Sequence, residues 1–148
     1  MKAFKLFIIL NLFVIHDSLS QVFNLNIEIE NIKNNGTLYL AIYDNSVSFD
    51  EDNKNKNKNK KKWVRSIVEI VNKNSFTKKI ELKKGLYAIS LFIDSNQNKI
   101  IDKNIIGIPT EQYGFSNNAR VFFRPPNFGA ASFTIDTELK KISINITY

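Results

Sequence analysis

Residues 22–43 read VFNLNIEIENIKNNGTLYLAIY, and this stretch decides the fold. From Val22 to Asn31 every second residue is apolar (Phe23, Leu25, Ile27, Ile29), and those between them are Asn or Glu. A repeat of two places the apolar side chains on one face of a half-buried strand. Thr37 to Tyr43 repeats the pattern, with Leu38, Leu40 and Ile42 on one face and Tyr39, Ala41 and Tyr43 on the other. Asn34-Asn35-Gly36 lies between the two runs, and Asn-Gly tolerates the positive φ of a tight turn, so the spacing predicts a hairpin. Working outward, Trp63 to Val71 and Phe76 to Leu82 read as two more strands, although the first also suits a short helix. After the Lys83-Lys84-Gly85 turn, Leu86 to Ile93 is almost continuously apolar, as expected of a strand in a sandwich core. Ala131–Ile135 and Ile142–Ile146 form a final alternating pair. Seven short strands, polar turns and no convincing amphipathic helix place the chain in the all-β class, as an antiparallel β-sandwich of the immunoglobulin or transthyretin type.

The N-terminus gives an address. Met1 to Lys5 is basic, Leu6 to Ile15 is apolar except for Asn11, and Ser18-Leu19-Ser20 offers small residues where a signal peptidase reads. Residues 1–20 are therefore expected to be a signal peptide cleaved after Ser20, leaving residues 21–148 as a single exported domain, periplasmic or extracellular. The apolar run is shorter than the roughly 20 residues a spanning helix needs, and no later segment is longer. Cleavage removes His16, the only histidine, and the chain has no cysteine. A mature chain lacking both cannot use Ser-His-Asp or Cys-His catalysis, or hold zinc through imidazole or thiolate. Binding chemistry is left to carboxylates, amides, hydroxyls, Lys, Arg and aromatic rings.

The formal charge of +7 is equally local. Residues 53–62 read NKNKNKNKKK, with six lysines and no apolar side chain, and predict a disordered loop between the second and third strands. Without the signal peptide the balance is 19 basic to 13 acidic residues, and without the six lysines it is 13 to 13. A polyanion-binding arm is one reading of this run and a solvated loop is the plainer one. No aromatic or arginine interleaves the lysines, so nucleic acid is not an expected partner.

One loop carries candidate ligand chemistry. Asp94, Asn96, Asn98 and Asp102 in DSNQNKIID (94–102) have the spacing of positions 1, 3, 5 and 9 of a calcium loop, with the Ile100 carbonyl at position 7. Position 6 is Lys99 instead of Gly, and position 12 is Ile105 instead of Glu; Glu111 would supply the missing carboxylate if the chain doubles back. The candidate metal set is thus Asp94, Asn96, Asn98, Ile100, Asp102 and Glu111, for Ca²⁺ as the only cofactor considered. Asx turns that need no metal explain the same residues.

Leu86-Tyr87-Ala88-Ile89-Ser90, the Asp94-x-Asn96-x-Asn98-x-x-x-Asp102 loop, GIPTEQYGFSNNA over 107–119, and Pro125-Pro126-x-Phe128-x-x-Ala131-x-Phe133 together resemble a bacterial domain-of-unknown-function family, number 2141. The similarity runs from about Leu25 to the C-terminus. It implies an exported, single-domain, antiparallel β protein with no assigned activity, and a loop that commonly has Gly where Lys99 stands here.

Within 107–119, Tyr113, Phe115 and Asn117 combine two aromatic faces with an amide and are candidate ligand-binding residues, for a glycan or envelope component. Packing at the end of the sandwich is the competing role. Three functions follow. The leading one is a non-enzymatic binding or cell-envelope interaction module with a cation-stabilised loop. The second is a glycan-active enzyme using Asp94, Asp102 and Glu111 as acid and base. The third is polyanion binding through the lysine loop.

Overall fold

A computed structural model describes residues 21–54, 63–72, 74–121 and 124–148. The expected signal peptide (1–20), residues 55–62 of the lysine run, and Phe122 and Phe123 lie outside the described residues.

The chain is all-β, with strands β1 (Val22–Ile32), β2 (Gly36–Tyr43), β3 (Arg65–Val71), β4 (Asn74–Lys83), β5 (Gly85–Asp94), β6 (Tyr113–Phe115), β7 (Phe133–Ile135) and β8 (Leu139–Asn145). One sheet has the order β4-β1-β8 and the other β3-β2-β5-β6, with β7 paired to the start of β5. The period-two reading of β1 and β2 matches their burial. Phe23, Leu25, Ile27 and Ile29 from the first sheet join Leu38, Leu40, Ile42, Ile89 and Ile93 from the second in the main core. Among the described residues no helix is long and apolar enough to cross a membrane.

The pairing departs from the sequence expectation in three ways. First, β1 and β2 are not a hairpin: β1 pairs with β4 and β8, whereas β2 pairs with β3 and β5. Their apolar faces meet across the sandwich instead of side by side, and residues 33–35 carry the chain between sheets. Gly36 serves close approach, not turn geometry; a Cβ there would lie 2.5 Å from the Asp94 carbonyl oxygen on β5. Second, the sheets are not wholly antiparallel. β1 runs parallel to β8, from Asn24 opposite Leu139 to Glu30 opposite Asn145, so the two final strands join different sheets and do not pair with each other. Third, the described residues form eight strands, because β6 adds to β5. β7 begins at Phe133, since Phe128–Ala131 form a helical turn, α2, whose Ala130 N–H is capped by Asn127 Oδ1 at 2.9 Å.

Helix α1 (Ser46–Asn53) was also unexpected, and it takes in the first residue of the lysine run. Asn45 starts it by accepting the Ser48 N–H at 2.9 Å. Its one buried residue is Phe49, which sits on the outer face of the second sheet with Tyr43, Ala88, Phe115, Phe128 and Ala131. Two acidic side chains dock the helix: Asp50 Oδ1 accepts the Phe128 N–H at 3.2 Å, and Asp52 accepts the Tyr43 hydroxyl.

Burial pushes the Tyr43 hydroxyl well above the ordinary tyrosine range, and the bond to Asp52 adds to it, against a smaller opposing effect of Ser90. The folded state therefore holds a proton that the unfolded chain releases near pH 10. This contribution is complete below that pH and is lost as pH rises above it. Urea titrations are expected to show stability declining above pH ~10, by up to about 1.4 kcal/mol per pH unit for this group. Tyr43→Phe should reduce the slope. Some slope remains, because burial and the charge of Asp44 also raise Tyr87.

Candidate functional site

The site grows from the end of β5. Asp94 pairs with Thr37 at the last position of the β2–β5 ladder and is completely buried. A buried carboxylate needs donors, and the next turn supplies them. Gln97 and Asn98 donate their N–H groups to Asp94 Oδ1 at 2.6 and 3.2 Å, and Lys99 donates to Oδ2 at 2.8 Å. Two further Asx turns continue the curl: Asn98 N–H to Asn96 Oδ1 at 3.1 Å and Ile100 N–H to Asn98 Oδ1 at 2.9 Å. The amide nitrogens of Asn96 and Asn98 both donate to the Asp102 carboxylate, at 2.6 and 3.0 Å.

Glu111 does double back. It is nearly buried, and its two oxygens accept the Ser95 N–H at 2.8 Å and the Asp102 N–H at 3.2 Å, tying both ends of the loop. Between Asp102 and Glu111 the chain makes a short hairpin. A Lys103–Pro109 bridge closes it, and Asn104 Oδ1 accepts the Ile106 and Ile108 N–H groups, at 3.1 and 3.0 Å.

Position 6 of the loop is where a family-type glycine was expected, and there the backbone is left-handed: Lys99 has φ +66°. A side chain in that region costs roughly 1–2 kcal/mol. Lys99→Gly keeps the N–H bond to Asp94 and relieves the strain. It is expected to raise the unfolding free energy by about 1 kcal/mol after the extra freedom of the unfolded chain is counted, as measured by urea denaturation.

Asp94, Asn96, Asn98, Asp102 and Glu111 are thus joined in one hydrogen-bonded loop, and Ile100 contributes through its backbone. Every ligand atom on offer is an oxygen, which suits a hard cation. Among the described residues no three His, Cys, Asp or Glu side chains stand close enough to hold a metal by themselves. Ligation would need the amide oxygens and a backbone carbonyl as well. The amide N–H groups of Asn96 and Asn98 now face Asp102 with the partial positive charge a cation would bring. Beside the loop a shallow groove of about 510 Å³ runs along Thr37, Tyr39, Ile70, Gln97 and Lys99.

The second set of candidates is dispersed. Phe115 is buried, its ring 6.0 Å from that of Phe49. Tyr113 is half-buried, packs edge-on against Phe115, and exchanges backbone hydrogen bonds with Thr147 at 2.8 and 3.0 Å. Asn117 uses its amide nitrogen to hold the Ala130 and Ser132 carbonyls at 3.3 and 2.7 Å. Its neighbour Ser116, fully buried, accepts the Ile89 N–H at 2.8 Å and donates to the Ala131 carbonyl. Here the geometry assigns packing and bracing.

Gln112 is a residue that the sequence did not mark. Almost fully buried, it accepts the Lys33 and Asn34 N–H groups on Oε1, at 2.7 and 3.3 Å, and donates to the Asn31 carbonyl at 2.9 Å. It therefore links the candidate loop to the crossing between sheets. No periodicity or motif singles it out beyond its place beside Glu111.

No curated protein and no solved structure is similar to the chain at a level that carries an inference. Over residues 27–143 the chain matches a family described as an uncharacterized protein conserved in bacteria (DUF2141). That span runs from the middle of β1 into β8 and holds the whole candidate loop, Glu111 and the bracing residues 112–117. The chain belongs to this bacterial family.

Proposed function

We propose that the protein is an exported, non-enzymatic β-sandwich binding module of the bacterial cell envelope, whose 94–111 loop takes a Ca²⁺-class cation. The observation that carries this reading is the Asx-turn curl. Side chains at alternate positions (94, 96, 98) turn inward, the sixth position is left-handed, and Glu111 returns to close the loop. A cation would draw the oxygens of Asp94, Asn96, Asn98, Asp102 and Glu111 and the Ile100 carbonyl, and would displace the two amide donors from Asp102. The exported location rests on the basic, apolar and small-residue order of residues 1–20.

The test is thermal unfolding in excess Ca²⁺ and in chelator. At one hundred times the dissociation constant a cation adds about 2.7 kcal/mol of stability, equivalent to a rise of about 10 °C in Tm for a domain of this size. Asp102→Ala should abolish the rise and leave the chelated protein folded. A Tm that is the same in both buffers rejects the cation.

A further inference from the structure

The edges of the two sheets are not equally protected. At the β6 edge, Tyr113 is bridged on both backbone groups by Thr147. At β8, Asn118 Oδ1 accepts the Asn145 N–H at 2.7 Å, and Arg120 donates to the Asn145 carbonyl at 3.3 Å. The β4 edge carries Lys78, Lys79 and Lys83, and its pairing with β1 slips register between Ile29 and Ile32. Lysines and irregular pairing are the usual means of keeping an edge from finding another strand.

Strand β3 has neither lysine nor slip, and its two charged residues, Arg65 and Glu69, are of opposite sign. Arg65–Val71 (RSIVEIV) contains no proline and no lysine, and it pairs with β2 without a slip from Ile42 opposite Arg65 to Gly36 opposite Val71. It stands at the end of its sheet, and among the described residues nothing pairs with its other side. Its outward face is apolar: Val68 is 56% exposed and Ile70 84%, with Val64 at 44% just before the strand. Val68 continues inward across the sheet to Tyr39, which stacks on Phe92 at 5.1 Å. An unslipped, apolar, unblocked edge is a template for strand addition.

We propose that β3 pairs antiparallel with β3 of a second copy of this chain, about a two-fold axis through Ile67. The sequence of the strand selects both partner and register. With Ile67 on the axis, Arg65 lies opposite the partner's Glu69 and Glu69 opposite the partner's Arg65, so two opposite-charge pairs form. On the other face Val64 meets the partner's Ile70, and Ser66 the partner's Val68. Moving the axis to Val68 sets Ile67 against the partner's Glu69 and Arg65 against the partner's Val71. Moving it to Ser66 leaves Arg65 opposite the partner's Ile67. Of these three registers only the one at Ile67 matches charge with charge, while setting Ile67 and the Val64–Ile70 pairs apolar against apolar, and a strand complementary to itself about a two-fold axis is what a symmetric dimer requires. Glu69 already bonds Lys78 of its own chain, so the joined edge would carry an Arg–Glu–Lys row at each end. This inference goes beyond the cation reading and does not depend on it.

Sedimentation of the purified protein up to about 500 µM, enough to populate a dimer of sub-millimolar dissociation constant, tests the idea. A reversible monomer–dimer equilibrium is expected. Arg65→Glu sets like charges opposite each other twice and should weaken the dimer at least about tenfold. The triple variant Arg65→Glu, Glu69→Arg and Lys78→Glu inverts the whole row and should bring the dissociation constant back to within about threefold of the original. Ile70→Lys, at an exposed position, should leave only monomer. Urea unfolding at low concentration checks that each variant remains folded as a monomer. A chain that is monomeric throughout overturns the proposal, as does a dimer that ignores Arg65→Glu or is not rescued by the triple exchange.

Discussion

Asp94→Ala is expected to lower the free energy of unfolding by about 3 kcal/mol, because it removes a fully buried carboxylate that accepts three N–H groups. The donors are those of Gln97, Asn98 and Lys99, and Asp94 itself is fully buried at the end of the β2–β5 ladder. Each donor that loses its partner costs roughly 1–3 kcal/mol, at the lower end here because Gln97, Asn98 and Lys99 are themselves exposed. Asp94→Asn keeps one acceptor oxygen and should recover about half of the loss. Asp102→Ala is the contrast. Asp102 is half-exposed, and its donors, the amides of Asn96 and Asn98, are exposed and regain water, so the expected cost is about 1 kcal/mol. Urea denaturation of the three variants in chelator separates the structural role of the loop from any cation. Equal losses for Asp94→Ala and Asp102→Ala would contradict this hierarchy.

The second large effect is expected at Phe49. Its ring is fully buried and lies 5.3 Å from Tyr43, 5.9 Å from Phe128 and 6.0 Å from Phe115, each in an edge-to-face arrangement. Removing a buried Phe costs about 3–5 kcal/mol through lost transfer energy and the cavity left behind. Helix α1 is only eight residues long and buries no other side chain, too short to persist without docking. Phe49→Ala should therefore release α1 from the sheet, and protease cleavage within residues 46–53 should become rapid. The same release exposes the Tyr43 hydroxyl, so absorbance titration should find it ionising close to the ordinary value near pH 10. Cleavage at the original rate would show that the helix is held by Asp50 and Asp52 alone.

These two predictions fall on opposite sides of what can be read along the chain. The Asp94 loop was legible because Asx turns form between residues two to five apart, and the spacing 94, 96, 98, 102 places the acceptors where the local N–H groups are. Glu111 was half legible. A missing carboxylate pointed to it, but only the hairpin of 103–109 brings it to Ser95 and Asp102. Helix α1 was not legible. It has one buried side chain and no apolar face, and its other anchors bind Tyr43 and Phe128, residues outside the helix. Gln112 was hidden for the same reason, since its partners belong to Asn31, Lys33 and Asn34.

By itself the sequence determined where seven of the strands run, all but β6, and which face of each is apolar, because a period of two is a property of neighbours. It also determined that the positive charge belongs to one run and that no cysteine is present. Which strands pair, by contrast, was decided only by tertiary structure. Asn35-Gly36 allows a hairpin, yet β1 and β2 lie in different sheets and bring their apolar faces together in one core across the sandwich. The parallel β1–β8 pairing, the crossing clamped by Gln112, the docking of α1 and the open β3 edge all follow from that choice. They depend on contacts between residues far apart in the chain, which no local pattern encodes.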